Sequence, residues 1–285
     1  MSKATRCRAA LGYLSIVAGL QVAGSAAASD LNGFLCEKRQ GNVALSFTSQ
    51  SYDEFWAGKT SVAPPEVGQV DTTSISLWLS YGITDDLTLI ASLPFVDADS
   101  DGTMGFEASD LQDVTLLGAY RLLEKNSSVR HDLVGALGLR VPAGYDVEDP
   151  GVSALNVGDG TTDGLLRVVY LLRVGGFYGA QQVGYEVRGE DAPDGWPLYT
   201  ELGYTMGRTT VSGFYQKLVA SDGTDIMGPG FDSFPENQEE YDRAGAKVYV
   251  RIGDRFGLAA SVFDTLDGRN TGDATGVSVG TVLGF

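Results

Sequence analysis

The chain has 285 residues, of which 43% are hydrophobic, and its formal net charge at pH 7 is −17. Such an acidic chain lacks the basic footprint through which proteins bind nucleic acids, so no nucleic-acid partner is expected. No stretch reaches the roughly 18 apolar residues that a membrane-spanning helix needs. A mean hydropathy of −0.02 fits either a soluble protein or a barrel whose strands alternate apolar and polar residues.

The first 28 residues have the composition of a secretory signal peptide. Three basic residues between positions 3 and 8 precede a mostly apolar stretch at 9–22, and the small residues at 25–28 provide a cleavage site. We predict that residues 1–28 are removed during export through the Sec pathway, the alternative being a retained N-terminal helix. Removal of the three basic residues would take the net charge to −20.

The cysteine content argues against a disulfide framework. Cleavage would remove Cys7 and leave Cys36 as the only cysteine. An exported chain with one cysteine has no internal disulfide. We interpret Cys36 as an unpaired thiol in a periplasmic segment, residues 29–41, before the first strand. The alternative is that Cys36 pairs with another chain.

From Asn42 onward, apolar residues recur at every second position in one segment after another. This period indicates strands whose two faces meet different environments. The segments with clear alternation are 42–52, 72–83, 87–95, 113–122, 132–141, 166–173, 243–252 and 276–285. Segments 177–187 and 256–264 fit less cleanly, and 209–219 is ambiguous in its facing.

The connections between these segments alternate in length. Short links fall near 84–86, 124–129, 174–176, 207–209 and 253–255. Long links rich in glycine and aspartate fall near 57–71, 97–110, 143–162, 188–195, 220–239 and 265–274. Short periplasmic turns, long extracellular loops and an even strand count are typical of outer-membrane barrels.

We therefore predict an all-β fold over residues 42–285. It is a closed antiparallel transmembrane β-barrel of about twelve strands, in the outer membrane of a Gram-negative bacterium. Closure is required because an open sheet edge would leave backbone groups unpaired in lipid. A soluble β-sandwich also has many alternating strands, but it does not predict alternating link lengths.

Aromatic residues are expected near both membrane interfaces. Tyr81, Tyr120, Phe177, Tyr204 and Phe285 would lie on the periplasmic side, and Trp56, Phe95, Tyr185 and Trp196 on the outer side. The ending on Phe285, with Leu283 two residues earlier, resembles the C-terminal assembly signal of outer-membrane proteins. The expected partners are the barrel assembly machinery through the Phe285 strand, outer-membrane lipid, lipopolysaccharide and small-molecule solutes.

An ordered series of blocks resembles the meta-pathway phenol-degradation family of outer-membrane proteins, which are often labelled transporter-like. The blocks are YGITDDLTLIASLPF (81–95), LQDVTLLGAYRL (111–122), LGLRVPAG (137–144), GDGTTDGLL (158–166) and GRNTGDATGVSVGTVLGF (268–285). The resemblance implies a barrel and the movement of small, aromatic or hydrophobic molecules, and it brings no catalytic residues. The chain departs from the family at Leu111-Gln112-Asp113, where glycine often precedes the aspartate.

The polar faces of the predicted strands carry charged side chains that would line the lumen. They are Asp113, Arg121, Asp132, Arg140, Arg167, Arg173, Glu186, Glu201, Arg243, Lys247 and Arg251. These charges can pair and plug the interior, or they can line a water-filled path. Both interpretations stay open. Basic residues outnumber acidic ones, so a conducting lumen would favour anions.

One acidic motif indicates a candidate metal site. Asp97, Asp99 and Asp101 with Gly102 spell D-x-D-x-D-G, the first half of an EF-hand calcium loop. The second half departs, because Glu107 comes one residue early for the twelfth position. We predict calcium as a candidate ligand, the alternative being a solvated acidic loop. No cofactor is otherwise required.

Three functions follow from these patterns. The leading hypothesis is an outer-membrane channel or transporter for small, aromatic or hydrophobic molecules. The second is a closed structural or adhesive barrel whose acidic loops bind cations. The third, an outer-membrane lipid hydrolase, is opposed by the only histidine, His131, which lies beside a short turn without a serine two residues later. We therefore predict that the chain is not an enzyme.

Overall fold

The computed structural model describes residues 30–145, 155, 157–158, 160–189, 192–226, 228–229 and 235–285. The regular structure of these residues is β throughout. Within the same ranges, no helix is long and apolar enough to cross a membrane. The predicted signal segment and Cys7 lie outside the described residues.

Fifteen strands follow one another along the chain. They are β1 (Gly41–Tyr52), β2 (Phe55–Ala57), β3 (Thr60–Val62), β4 (Val70–Gly82), β5 (Leu87–Ser100), β6 (Glu107–Leu111), β7 (Val114–Asn126), β8 (Arg130–Val141), β9 (Asp163–Val174), β10 (Phe177–Val187), β11 (Gly195–Met206), β12 (Thr209–Ala220), β13 (Glu240–Arg251), β14 (Phe256–Arg269) and β15 (Thr275–Gly284).

Twelve of these strands form a closed antiparallel barrel. Each long strand pairs with the next long strand in the chain, and β1 closes the ring by pairing with β15. Asn42 lies opposite Gly284 and Ser51 lies opposite Thr275 in that closing ladder. The predicted fold class and strand number are confirmed.

The outer surface of the barrel is apolar. Outward side chains that stay exposed include Leu45, Leu77, Leu89, Leu137, Leu202, Val262 and Val279. Soluble monomers rarely present so large a continuous apolar surface, because water penalises it. The exposed belt is therefore the face that contacts lipid, and ring closure leaves no unpaired strand edge there.

The two ends of the barrel differ in their connections. Links of two to four residues join β4 to β5, β7 to β8, β9 to β10, β11 to β12 and β13 to β14 at the end where β1 begins and β15 ends, which we call the short-turn end. The opposite, long-loop end carries the longer connections. Outward aromatic pairs lie at both ends: Tyr81–Phe285 and Phe177–Tyr204 at the short-turn end, Tyr185–Trp196 at the other.

Strand structure continues further at the long-loop end than the sequence pattern predicted. β5 runs to Ser100, where the predicted loop had begun at residue 97, because β4 extends equally far and pairs Val70 with Ser100. Strand β6 adds to this extension by pairing Asp99 with Glu107. The predicted loop 57–71 likewise contains part of the β2–β3 hairpin.

Asn270 joins several of the long connections. Its backbone adopts φ 52°, a left-handed conformation that asparagine tolerates better than most residues. Its Oδ1 accepts hydrogen bonds from the amides of Gly58 (2.7 Å) and Ile226 (3.0 Å). Its Nδ2 donates to the Gln238 carbonyl (2.9 Å) and to Asp225 (3.0 Å). One side chain therefore ties the β2–β3 hairpin and the β12–β13 connection to the end of β14.

Candidate functional site

The N-terminal segment 30–36, which we call the plug, lies inside the barrel. Its first residue, Asp30, accepts hydrogen bonds from Gln182 Nε2 of β10 (2.9 Å) and Gln216 Nε2 of β12 (2.6 Å). The Leu31 amide donates to Gln182 Oε1 (2.7 Å). Both glutamines lie near the middle of their strands, so the plug reaches halfway along the lumen.

The other end of the plug is fixed at the short-turn end. The Cys36 amide donates to Thr88 Oγ1 (2.9 Å), and its thiol donates to Ser80 Oγ (3.3 Å). Asn42 Nδ2 approaches the same sulfur at 3.5 Å. Cys36 is a buried free thiol. Pairing with another chain, the alternative left open above, would require it to leave this position.

Between these ends, the plug packs on an apolar layer of the inner wall. Leu31 and Leu35 contact a cluster made of Ala44, Trp78, Ile90, Leu117, Ala119, Val134, Ala136, Leu165, Val169, Tyr249, Ala259 and Val282. Nine wall strands contribute to this layer. Complete burial of one leucine side chain is worth about 1.5–3 kcal/mol, so these contacts hold the plug firmly.

Two further plug residues fit the wall closely. The Phe34 ring meets Tyr178 edge-on, with ring centroids 5.2 Å apart. Gly33 has φ 82°, and a Cβ there would lie only 3.1 Å from Leu171 Cβ. A side chain at position 33 would therefore be strained in its backbone and crowded against β9.

The position of the plug corrects one sequence expectation. Residues 29–41 were expected to lie outside the barrel, but residues 30–36 are buried in the lumen, and among the described residues 30–41 only 37–40 are exposed. The apolar Leu31, Phe34 and Leu35 are the signal that could have revealed it, because an apolar run is disfavoured in a solvated tail.

An outer charge network fills the lumen wall on the long-loop side of the plug. Arg140 pairs with Asp163 (2.6 Å) and Glu186 (2.7 Å), and Glu186 also pairs with Arg167. All four residues are buried. Arg188 Nε lies 3.8 Å from the same Asp163 carboxylate, so three arginines share two carboxylates in this network. Such a network closes part of the cross-section and fixes neighbouring strands.

A tyrosine attaches the next acidic residue to this region. Tyr145 Oη donates to Asp113 Oδ1 (2.5 Å) and accepts a hydrogen bond from the Gly160 amide (2.8 Å). Tyr145 and Gly160 both belong to the connection between β8 and β9, so these contacts hold two points of that connection beside Asp113.

An inner charge cluster lies near the short-turn end. Asp132 of β8 is buried between three arginines: it pairs with Arg173, lies 3.4 Å from Arg121 Nε and 3.9 Å from Arg130 Nε. Glu124 adds a second carboxylate, 2.5 Å from Arg130. The Arg173 guanidinium also lies over the Phe34 ring at 5.6 Å, which connects this cluster to the plug.

A third group places a lysine against aromatic rings. Lys247 Nζ lies 5.0 Å from the ring centroid of Tyr199 and 4.7 Å from that of Phe214. It donates to Tyr199 Oη (2.6 Å) and lies 3.5 Å from Glu201. Tyr178 donates to the same carboxylate at 2.5 Å. This side of the lumen therefore combines flat rings with cations.

The structure places all of the predicted lumen residues on the inner face of the wall. The three groups above, with Asp113, account for nine of them, and the others are Arg243 and Arg251, both on β13. The sequence pattern did not indicate which charges pair, and it missed the partners Asp163, Tyr178 and Tyr199. It also missed the apolar layer, because each wall strand contributes only one or two apolar residues to it from an otherwise polar face.

The three aspartates of the candidate calcium motif do not converge. Asp97 and Asp99 lie on β5 as exposed residues, and extended backbone keeps successive same-face side chains apart. Asp101 Oδ1 instead accepts a hydrogen bond from the Gln69 amide (2.7 Å). In the described part of the chain, no group of three His, Cys, Asp or Glu side chains could hold a metal ion. The expected loop is replaced by strand, so this geometry does not support an EF-hand-like site.

His131 lies at the short-turn end of β8. Its Nδ1 is 2.5 Å from Tyr170 Oη, a residue of the exposed outer face. The hydrolase hypothesis needs a histidine beside a serine at the other end of the barrel, and His131 occupies neither that depth nor that environment.

Solved structures of outer-membrane proteins share this architecture. The COG4313 outer membrane channel from Pseudomonas putida F1 superimposes with a TM-score of 0.71 at 16% identity, over 87% of this chain and 96% of that one. The two chains share one fold. A NanC porin gives a TM-score of 0.51 at 7% identity, over 84% of this chain and 98% of that one.

These likenesses bear on architecture and location. The barrel fold and its outer-membrane neighbours support a location in the Gram-negative outer membrane. No protein-family model and no curated protein matches the chain. The resemblance to the meta-pathway phenol-degradation family stays a prediction.

Proposed function

We propose that the chain is an outer-membrane channel for small apolar molecules, aromatic ones included, and that the plug keeps it closed at rest. The observation that carries this proposal is the apolar layer inside the barrel. A hydrated ion would lose water there without gaining polar partners, which is costly. An apolar solute would lose nothing, because it exchanges water for an apolar wall.

The plug has the properties of a removable part. Residues 30–36 form no ladder with the wall, so their withdrawal would break no strand pairing. They are held by side-chain hydrogen bonds at Asp30 and Cys36 and by apolar contacts between. A solute that occupied the apolar layer would compete directly for the surface that Leu31 and Leu35 cover.

A second candidate function is a closed structural barrel. The outer charge network favours it, because the buried pairs of Arg140, Glu186 and Arg167 occupy lumen that a wide channel would leave open. Under this alternative, the plug would be a permanent part of the core, and the long loops would make the functional contacts.

Planar-bilayer conductance of the refolded full chain tests the channel. In the variant Leu31→Glu/Leu35→Glu, two carboxylates enter the apolar layer, and their desolvation favours withdrawal of the plug. We expect rare, brief openings in the wild type and steady conductance in the variant. Lys38→Glu is the matched control, since it changes the charge by the same amount at an exposed position of the same segment.

Uptake separates the two candidate functions. Cells that express the channel should take up the apolar probe N-phenyl-1-naphthylamine faster than cells without it, and the Leu31→Glu/Leu35→Glu variant should be faster still. A variant that migrates as a folded, heat-modifiable barrel yet gives neither conductance nor faster uptake would reject the channel in favour of the structural barrel.

A further inference from the structure

Arg243 differs from the other buried lumen cations described above. It is 7% exposed, yet it forms no ion pair with any residue in the described ranges. Its single hydrogen bond there is from Nε to Thr265 Oγ1, at 3.4 Å, which is long for such a bond. A guanidinium has five N–H donors, so four remain for another acceptor.

Two aromatic rings hold the Arg243 guanidinium. Its Cζ lies 4.8 Å from the ring centroid of Tyr241 and 4.7 Å from that of Phe263. Register places Tyr241 one inward position nearer the long-loop end and Phe263 one inward position nearer the short-turn end. Thr265 lies directly across on β14. The wall and the rings thus occupy three directions, which leaves the lumen as the direction for the free donors.

The Phe263 ring is itself seated by a glycine. It lies over Gly276 of β15, where any Cβ would overlap the ring. Phe263 therefore lies against the wall and keeps one face toward Arg243. The arrangement is fixed before any ligand arrives, which lowers the entropy lost on binding.

One unsatisfied acceptor lies beside the same position. Gln216 is the register partner of Arg243 on β12, and its buried Oε1 has no hydrogen-bond partner among the described residues. Asp30, the carboxylate of the plug, bonds to Gln182 and Gln216 and forms no ion pair with Arg243. No carboxylate of the described chain therefore neutralises this guanidinium.

A buried, unpaired guanidinium is costly unless an anion joins it. Its planar fork fits a carboxylate with two parallel hydrogen bonds, and the flanking rings exclude water from that contact. The apolar layer lies further along the lumen and suits the remainder of the same molecule. A hydrophilic anion would gain only the contact with Arg243, and a neutral apolar solute would gain only the contact with the apolar layer.

We propose that Arg243, with Tyr241 and Phe263, forms a lumen site for the carboxylate of a small aromatic or apolar acid. This inference rests on the proposed channel, whose solutes it narrows to one chemical class. The site would lie on the long-loop side of the apolar layer, where a solute arriving from outside meets it first.

Isothermal titration calorimetry on the full chain in detergent tests the site with benzoate as the probe. We expect saturable benzoate binding, with acetate, inorganic phosphate and benzyl alcohol each at least about tenfold weaker, since each lacks one of the two contacts. Titrations are repeated on Leu31→Glu/Leu35→Glu, so that the plug does not hide the site.

Substitutions then assign the contact to Arg243. R243Q should weaken benzoate binding at least about tenfold. R243K should have an affinity for benzoate between those of the wild type and R243Q, because an ammonium keeps the charge but lacks the planar fork. The matched control R208Q removes an equal charge at an exposed turn and should bind as the wild type does. Heat-modifiability on gels verifies that each variant is folded.

Three results would overturn the inference: no saturable benzoate binding, unchanged affinity in folded R243Q, or acetate and phosphate binding as tightly as benzoate. Conductance is measured on the same preparations. A protein that conducts but fails these titrations rejects the carboxylate site and leaves the channel. A protein that binds benzoate through Arg243 but never conducts rejects the channel and leaves the site.

Discussion

At the scale of single residues, Glu186 connects two arginines that water barely reaches. Its carboxylate pairs with Arg140 and with Arg167, and Arg167 is 0% exposed. Each buried guanidinium depends on carboxylates that replace the water it has lost. The network is therefore sensitive to the loss of one member, whereas an ion pair in solvent is not.

We predict that Glu186→Gln lowers the free energy of unfolding by about 3–5 kcal/mol, because it leaves two buried cations short of a counter-charge. The measurement is urea unfolding of the protein refolded into lipid vesicles. Lys59→Ala is the comparison: its ammonium pairs with Glu240 at 2.9 Å but is 59% exposed, so the loss should be about 1 kcal/mol or less. Equal losses would mean that Glu186 is effectively solvated.

At the scale of elements, the strands and the loops follow different physical rules. Strand positions could be predicted because lipid on one side and the lumen on the other impose a two-residue period. The loop contacts could not, since Asn270 gathers partners from positions 58, 226 and 238 that show no shared sequence pattern. The prediction of a calcium loop from the D-x-D-x-D-G motif failed for the same reason. Pairing of β4 with β5 makes Asp97 and Asp99 part of a strand, and a local motif does not report this non-local contact.

The Asp225–Arg269 contact gives the loops a defined response to acid. Arg269 Nε and Nη2 donate to the two Asp225 oxygens at 2.7 and 3.0 Å, and this pairing holds the pKa of the Asp225 carboxyl below its ordinary value. A lowered carboxyl pKa stabilises the folded loop above the ordinary value, and the contribution disappears as pH falls through the lowered one.

We therefore predict that the Ile226 amide, which donates to Asn270 Oδ1, becomes less protected from hydrogen exchange as pH falls below about 4. Exchange rates are corrected for their intrinsic pH dependence. Asp225→Asn should remove the added pH dependence, because its side chain does not titrate. If the corrected protection is flat in the wild type, Asp225 does not control the docking of this connection.

At the scale of the whole molecule, the ladder of β1 and β15 that closes the barrel ends at Gly41 and Phe285. The Gly41 amide donates to the Phe285 carbonyl and the Phe285 amide donates to the Gly41 carbonyl, both at 2.9 Å. The Phe285 ring stacks on Tyr81 with centroids 6.2 Å apart. The ring therefore lies against Tyr81 and over Gly41, yet 49% of the residue stays exposed, as a recognition element for the assembly machinery would be.

We predict that Phe285→Ala reduces the folded, heat-modifiable barrel in cells several-fold, while refolding of the purified chain changes little. Tyr81→Ala is the control, since it removes the same ring stack but keeps the C-terminal residue. If both variants lose equal amounts of folded barrel in cells, then packing rather than recognition by the assembly machinery explains the effect.

Whole-molecule architecture was predictable and the content of the lumen was not. A chain that crosses lipid with strands has few solutions, and alternating link lengths select one of them. The plug depends on contacts between Asp30 and residues 152 and 186 positions away. Periodicity in the sequence does not reveal contacts between residues so far apart in the chain. The apolar residues of the plug did indicate that the segment is disfavoured in solvent.

Cys36 gives this protein an internal reporter. Its thiol is buried against Ser80 while the plug is seated, and it reaches water only if the plug leaves. The expected exported chain holds no other cysteine. A maleimide dye would therefore label only barrels from which the plug has left, in living cells and without an engineered cysteine. At dye concentrations where the reaction outpaces return of the plug, the labelling rate equals the opening rate, and it can be measured during solute uptake.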